Sequence, residues 1–126
     1  GATCGAFVEQ NLRAVECIRR NLVAVCKSAG IASDDFEVIR GDALRRRPGQ
    51  STSIDLVFVD PPYRMLEEIA PKLFAGLLND VRVNENTLLA LELPGEVDLD
   101  PEGWRLERRL GKIRRGSPTH ALFRRA

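Results

Sequence analysis

Along the chain the apolar positions change period several times, and each change marks an element. Cys4 to Glu9 is a short apolar run ending in an acid, which reads as a buried strand. From Leu12 the apolar residues recur every three or four positions, at Val15, Ile18, Leu22, Val25 and Ala29, with Arg13, Glu16, Arg20 and Lys27 mostly opposite. That is the pattern of an amphipathic helix. Asn11 suits its start, Gly30 supplies a left-handed stop, and Glu16 with Arg20 makes a favourable i,i+4 pair. Phe36 to Arg40 is a second strand, closed by Gly41-Asp42-Ala43, and the polar stretch 45–53 is a loop. Leu56 to Val59 is apolar without alternation, as expected of a strand covered on both faces in a parallel sheet, and it stops abruptly in Asp60-Pro61-Pro62-Tyr63. Met65 to Leu78 is helical in period, with Leu66, Ile69, Leu73, Leu77 and Leu78 inward. Pro71 must either begin the main helix in its first turn or kink a longer one. Thr87 to Leu93 is a further apolar strand. Trp104 to Ile113 and Thr119 to Arg124 are strands whose short connection, 114–118, makes them an antiparallel hairpin.

Strand and helix alternate and a hairpin closes the chain, which predicts an α/β fold with a mainly parallel sheet. At 126 residues and 44% hydrophobic there is material for one core, so residues 1–126 read as a single domain. Charged residues in the first thirty exclude a signal-peptide core, no apolar run is long enough to span a membrane, and a cytoplasmic location is the default. Cys4, Cys17 and Cys26 lack C-x-x-C spacing, so neither a disulfide framework nor a metal site is expected, and all three read as small buried hydrophobes. The net charge of +1 conceals an asymmetry. From Trp104 onward eight basic residues face one acid, giving +7, while eleven against seventeen leave −6 elsewhere. A basic end on an acidic domain is the footprint of a polyanion partner, and equally the composition of a solvated hairpin.

Three acids, Glu9, Asp42 and Asp60, end three of the expected strands. On one parallel sheet those ends line a common rim, where ligands of open α/β sheets bind. Glu9 suits ribose hydroxyls. Asp42 suits an adenine amine, with the Ala43 amide offered to a ring nitrogen, although strand-end carboxylates also cap helices and start turns. Two prolines in a row fix φ and remove two donors, so the Asp60 carboxylate and the Pro61 carbonyl are rigid acceptors beside the Tyr63 ring. Such a pair suits a planar amine. Arg64 after the turn, and Arg114 and Arg115 at the hairpin tip, are candidates for phosphate contacts, which position a nucleic acid without choosing its sequence. His120 is expected on a hairpin strand away from the rim, and Trp104 and Phe123 in the core.

Phe7-Val8-Glu9, the following helix with Asn21-Leu22, Gly41-Asp42-Ala43-Leu44, Asp55 through Tyr63 and the Trp104 to Arg124 hairpin together resemble the RsmD family over essentially the whole chain. Its members are S-adenosylmethionine-dependent methyltransferases that modify the exocyclic N2 of a guanine in bacterial 16S ribosomal RNA. The resemblance implies a Rossmann-like class I methyltransferase sheet. It implies Asp60, Pro61, Pro62 and Tyr63 as catalytic residues, with Glu9, Gln10, Asp42, Ala43 and Asp60 toward the cofactor. The partner implied is ribosomal RNA or the small ribosomal subunit. Asp-Pro-Pro-Tyr belongs to amino methyltransferases generally, including those acting on adenine N6 and on glutamine side chains, so adenine-N6 transfer to DNA stays open. One departure stands against the match. The family begins with a strand and a glycine-rich G-x-G loop against the methionine part of the cofactor, and no G-x-G occurs here. The expectation is an N-terminally truncated portion of a longer protein, lacking a strand between those ending at Glu9 and Asp60. A non-catalytic fragment or nucleic-acid-binding module is the other reading, and direct pairing of the two flanking strands the remaining structural one.

Overall fold

The computed structural model describes residues 2–49 and 53–126, so the expected 45–53 loop lies partly outside the described residues. The chain divides into two compact units, residues 1–50 and 51–126.

In the first unit, strand β1 (Gly5–Glu9) pairs in parallel with β2 (Phe36–Arg40), Glu9 standing opposite Arg40. Helix α1 (Leu12–Ala29) connects them. Its start is set by Asn11, whose Oδ1 accepts from the amides of Arg13 and Ala14 at 3.0 and 3.2 Å, donors that an α-helix cannot satisfy internally. It stops at Gly30, at φ 66°, where a side chain would be strained. The covered stripe runs through Val15, Ile18, Leu22 and Cys26, with Val15 and Cys26 buried and the other two half-buried, while Leu12 and Val25, expected on the same face, are exposed. Arg20 donates to Cys17 Sγ at 3.3 Å instead of pairing with Glu16. Of the cysteines only Cys26 is buried. Cys17 lies on the outer face of α1 and Cys4 precedes β1, where nothing requires an apolar side chain.

The second unit is a four-stranded sheet in the order β3 (Leu56–Val59), β4 (Leu88–Pro94), β6 (Pro118–Arg125), β5 (Trp104–Leu110). β3 and β4 are parallel, the other neighbours antiparallel, with an irregularity at Leu106/Arg108 where β5 shifts register against β6. Alternation along paired strands puts Val57, Val59, Leu89, Leu91, Leu93, Ala121 and Phe123 on one face. Helix α2 (Leu66–Leu78) packs there. The Phe74 ring meets Trp104 and Phe123 edge-on at 5.6 and 5.1 Å, and the indole Nε1 donates to the Phe74 carbonyl, which makes Trp104 and Phe123 core residues as expected. Pro71 lies inside α2, five residues past its first, so the helix begins before the proline and runs through it.

One expectation fails at β3, its burial on both faces. Leu56 is 47% and Phe58 77% exposed, because β3 is an edge strand and α2 covers the opposite face. The strands form two sheets, β1–β2 in the first unit and β3–β4–β6–β5 in the second.

Candidate functional site

In the first unit the parallel register of β1 and β2 brings their carboxyl ends side by side, where Glu9, Gln10, Asp42 and Ala43 meet, and the Gly41 amide donates to the Glu9 carbonyl at 2.9 Å. Glu9 Oε1 accepts from the Asn11 amide at 2.7 Å, which fixes the carboxylate and leaves Oε2 open. Asp42 is partly spent on its own turn. Oδ1 accepts from the Leu44 amide at 2.9 Å, and Oδ2 stands 3.6 Å from Arg45 Nε. The Ala43 amide donates to no protein acceptor among the described residues. One carboxylate oxygen open to accept and one amide open to donate suit a ribose hydroxyl and a purine ring nitrogen.

In the second unit Asp60 immediately follows β3, and Pro61 is buried. Tyr63 begins a 3-10 turn (Tyr63–Met65) that leads into α2, the Met65 amide donating to the Pro62 carbonyl at 2.8 Å. Neither the Asp60 carboxylate nor the Pro61 carbonyl receives a hydrogen bond or ion pair among the described residues. Two acceptors held by rigid backbone and left unpaired are what a primary amine needs. The Tyr63 hydroxyl donates to Glu92 Oε1 at 2.9 Å, and Glu92 Oε2 lies 3.6 Å from His120 Nε2. That bond to Glu92, with partial burial and the charges of Glu92, Asp60 and Glu96, raises the Tyr63 pKa above the ordinary phenol value. His120 therefore stands one carboxylate from the rim, not away from it, because its register partner on β4 is Glu92.

The hairpin tip belongs to the same neighbourhood. The Gly95 amide donates to the Ser117 carbonyl at 2.8 Å, and Glu96 Oε2 accepts from the Gly116 amide at 2.8 Å. A Cβ on Gly95 would come within 2.4 Å of the Arg114 carbonyl oxygen, so glycine is required for the tip to approach β4. The basic hairpin divides into two sets. Arg109, 11% exposed, donates to Thr119 Oγ1 and to the carbonyls of Val97 and Pro94. Arg105 and Arg124 pair with Glu107, and Arg125 donates to the Val83 carbonyl. Arg108, Lys112, Arg114 and Arg115, and Arg64 after the turn, carry exposed side chains with no hydrogen bond or ion pair among the described residues. Four of the eight basic residues of the segment are thus structural.

Glu92, Glu96 and Arg109 escaped sequence reasoning. Glu92 left a usable signal, a lone carboxylate within the apolar strand Leu88-Leu89-Ala90-Leu91-Glu92-Leu93. Arg109 left none, being one of many arginines. Between α2 and residues 99–103 lies an apolar groove of about 630 Å³ bordered by Glu67, Asp100 and Glu102, and it contains none of the candidate residues. No helix among the described residues is long and apolar enough to cross a membrane.

Comparison with known proteins bears on the whole chain. HI0767 of Haemophilus influenzae, described as a presumptive methylase, superposes with a TM-score of 0.73 at 22% identity, over 98% of this chain and 73% of that one. A conserved hypothetical protein of Streptococcus pyogenes gives 0.76 at 20% identity, over 100% and 74%. TrmN of Thermus thermophilus gives 0.64 at 17%, over 100% and 38%. At these identities the likeness is one of fold. No protein of curated function matches the sequence. The model of the family described as Conserved hypothetical protein 95 matches residues 1–115, and the chain belongs to that family, the RsmD family, with the α/β fold of methyltransferases.

Proposed function

We propose that the chain serves transfer of a methyl group from S-adenosylmethionine to the exocyclic N2 amine of a guanine in 16S ribosomal RNA. The observation that carries this reading is the unpaired acceptor couple, Asp60 carboxylate and Pro61 carbonyl, at the end of β3 beside an anchored tyrosine. The amine lone pair of guanine is delocalised into the ring. Accepting both amine hydrogens draws the nitrogen toward a pyramidal form and restores its nucleophilicity. Asp60 orients and polarises; it is far too weak a base to deprotonate a neutral aryl amine. Tyr63 offers a ring face on which the base, taken out of its stack, rests. Arg64, Arg114 and Arg115 suit phosphates, and the tip that bears the latter two is held by Glu96 near Tyr63. The Glu9 and Gln10 strand end would hold the cofactor ribose, and Asp42 with the Ala43 amide its adenine. When bound, the cofactor supplies an electrophilic methyl group.

Transfer of tritiated methyl from S-adenosylmethionine to small ribosomal particles, to free ribosomal RNA and to duplex DNA tests the reading. Label in RNA or particles, at guanine N2, is the expected result. Label in DNA alone assigns adenine-N6 chemistry instead. Asp60→Ala should abolish transfer while cofactor affinity, followed by calorimetry, stays within several-fold. Retained activity would remove Asp60 from its role.

One observation favours a second reading, binding of nucleic acid without transfer: Arg108, Lys112, Arg114 and Arg115 carry exposed side chains with no hydrogen bond or ion pair among the described residues. Absence of any calorimetric signal with S-adenosylmethionine, with RNA binding intact, would select it.

A further inference from the structure

Tyr63 occupies a turn that by itself would leave its ring loosely held. It opens a single 3-10 turn and its side chain is 38% exposed. An exposed aromatic side chain on such a turn samples several rotamers, and fixing one costs entropy each time a ligand binds. Here the ring is tethered at its far end. The hydroxyl donates to Glu92 Oε1 at 2.9 Å, joining residues 29 apart in sequence, and Glu92 is fixed in turn by its place in the middle of β4. The second carboxylate oxygen lies 3.6 Å from His120 Nε2 on the neighbouring strand β6, beyond hydrogen-bond distance. The other charged groups bearing on Tyr63 are Asp60, after β3, and Glu96, after β4.

We infer that Glu92 is the positioning residue of the site: by accepting the Tyr63 hydroxyl it locks the ring beside the Asp60–Pro61 acceptors, so that a base stacks on a preset plate. The inference rests on the proposed reading for what the plate receives, but not for the lock itself. Two consequences follow. The hydroxyl is already spent, so Tyr63 presents its ring face and not its oxygen to a ligand, and stacking without edge recognition is its contribution. The requirement also explains a tyrosine at this position where a phenylalanine would offer the same plate without an anchor.

The chain contains one tyrosine, so the ultraviolet absorbance of tyrosinate reads Tyr63 alone. In the wild-type chain the ring should titrate above 10, and in Glu92→Ala the midpoint should fall toward the free phenol value of about 10. Glu92→Gln keeps an acceptor but not the charge, so its midpoint should lie between the two, and it carries the test if the alanine variant does not fold. With labelled tyrosine, the ring resonances should show a single rotamer in wild type and averaging in the alanine variant. Midpoint and ring signals unchanged in both variants would overturn the lock. In methyl transfer, Glu92→Ala should lower kcat by roughly tenfold to a hundredfold with cofactor affinity unchanged, and Glu92→Gln should recover most of it. Altered titration with kcat unaffected would refute the positioning role. Altered titration in a protein that transfers no methyl would uphold the lock and refute the functional reading.

Discussion

At the scale of single residues, the candidate site separates side chains left open from those already spent. Asp60 is open, whereas Glu92 and Glu96 are both committed, one to Tyr63 and the other to the backbone of the hairpin tip. Glu96 carries a pH prediction. The Gly116 amide, with a smaller contribution from the charge of Arg115, holds its carboxyl below the usual carboxylate value. A folded-state pKa below the unfolded one means that the attachment is at full strength above the unfolded carboxylate range, about 4.3, and is lost as pH falls through the folded value. Amide hydrogen exchange at Gly116 should therefore be slow near neutrality and accelerate, relative to the intrinsic rate, only once the pH has fallen below the ordinary carboxylate value and Glu96 takes up its proton. In Glu96→Gln that additional acid-linked acceleration should vanish. Identical pH profiles in the two proteins would show that the tip is held by the Gly95 amide to Ser117 carbonyl bond alone.

At the scale of elements, local chemistry decided most of what could be read in advance. Asn11, by its side-chain acceptor, and Gly30, by its lack of a Cβ, bracket α1. Asn11→Ala should cost about 1 kcal/mol in urea unfolding, and Asn11→Ser should restore most of it, since serine supplies the same acceptor. An alanine variant as stable as wild type would mean that the Arg13 and Ala14 amides are as well served by water. The order of strands and helices, the parallel β3–β4 pair and the closing hairpin were equally legible, because period and turn residues are properties of a short window. What failed were properties of the neighbourhood. The run Leu56-Val57-Phe58-Val59 looks buried on both faces, yet whether a second layer covers a strand is set by distant segments, and here Leu56 and Phe58 are exposed. On α1, Val15 and Cys26 are buried as expected while Val25 is exposed, because a periodic pattern leaves the edge of the inward face undefined by about one residue. In the site, Asp60 to Tyr63 were legible as a contiguous motif. The Tyr63–Glu92–His120 row was not, being assembled from three places in the chain by strand register.

At the scale of the whole molecule, the charge asymmetry becomes useful only after the arginines are sorted. The C-terminal segment carries +7 in the sequence, but the half-buried Arg109 is bonded to the 94–98 connection, Arg105 and Arg124 share Glu107, and Arg125 is tied to Val83. The cations left to meet an external polyanion are Arg108, Lys112, Arg114 and Arg115, with Arg64 contributing from the turn. Each phosphate neutralised on a single-stranded nucleic acid releases counterions and adds about 0.7 to the slope of log affinity against log salt. If Arg114 and Arg115 each contact one phosphate, replacing both by alanine should lower that slope by roughly 1.4. Arg124→Gln, which removes an internally paired cation, should leave the slope as it was. A guanine-containing single-stranded RNA oligonucleotide, titrated by fluorescence anisotropy between low and moderate salt, provides the measurement. Equal slopes for wild type and the Arg114/Arg115 double variant would place the RNA elsewhere on the molecule. A fall in slope for Arg124→Gln would show that its pairing with Glu107 yields to phosphate, and the division between structural and available cations would then have to be redrawn.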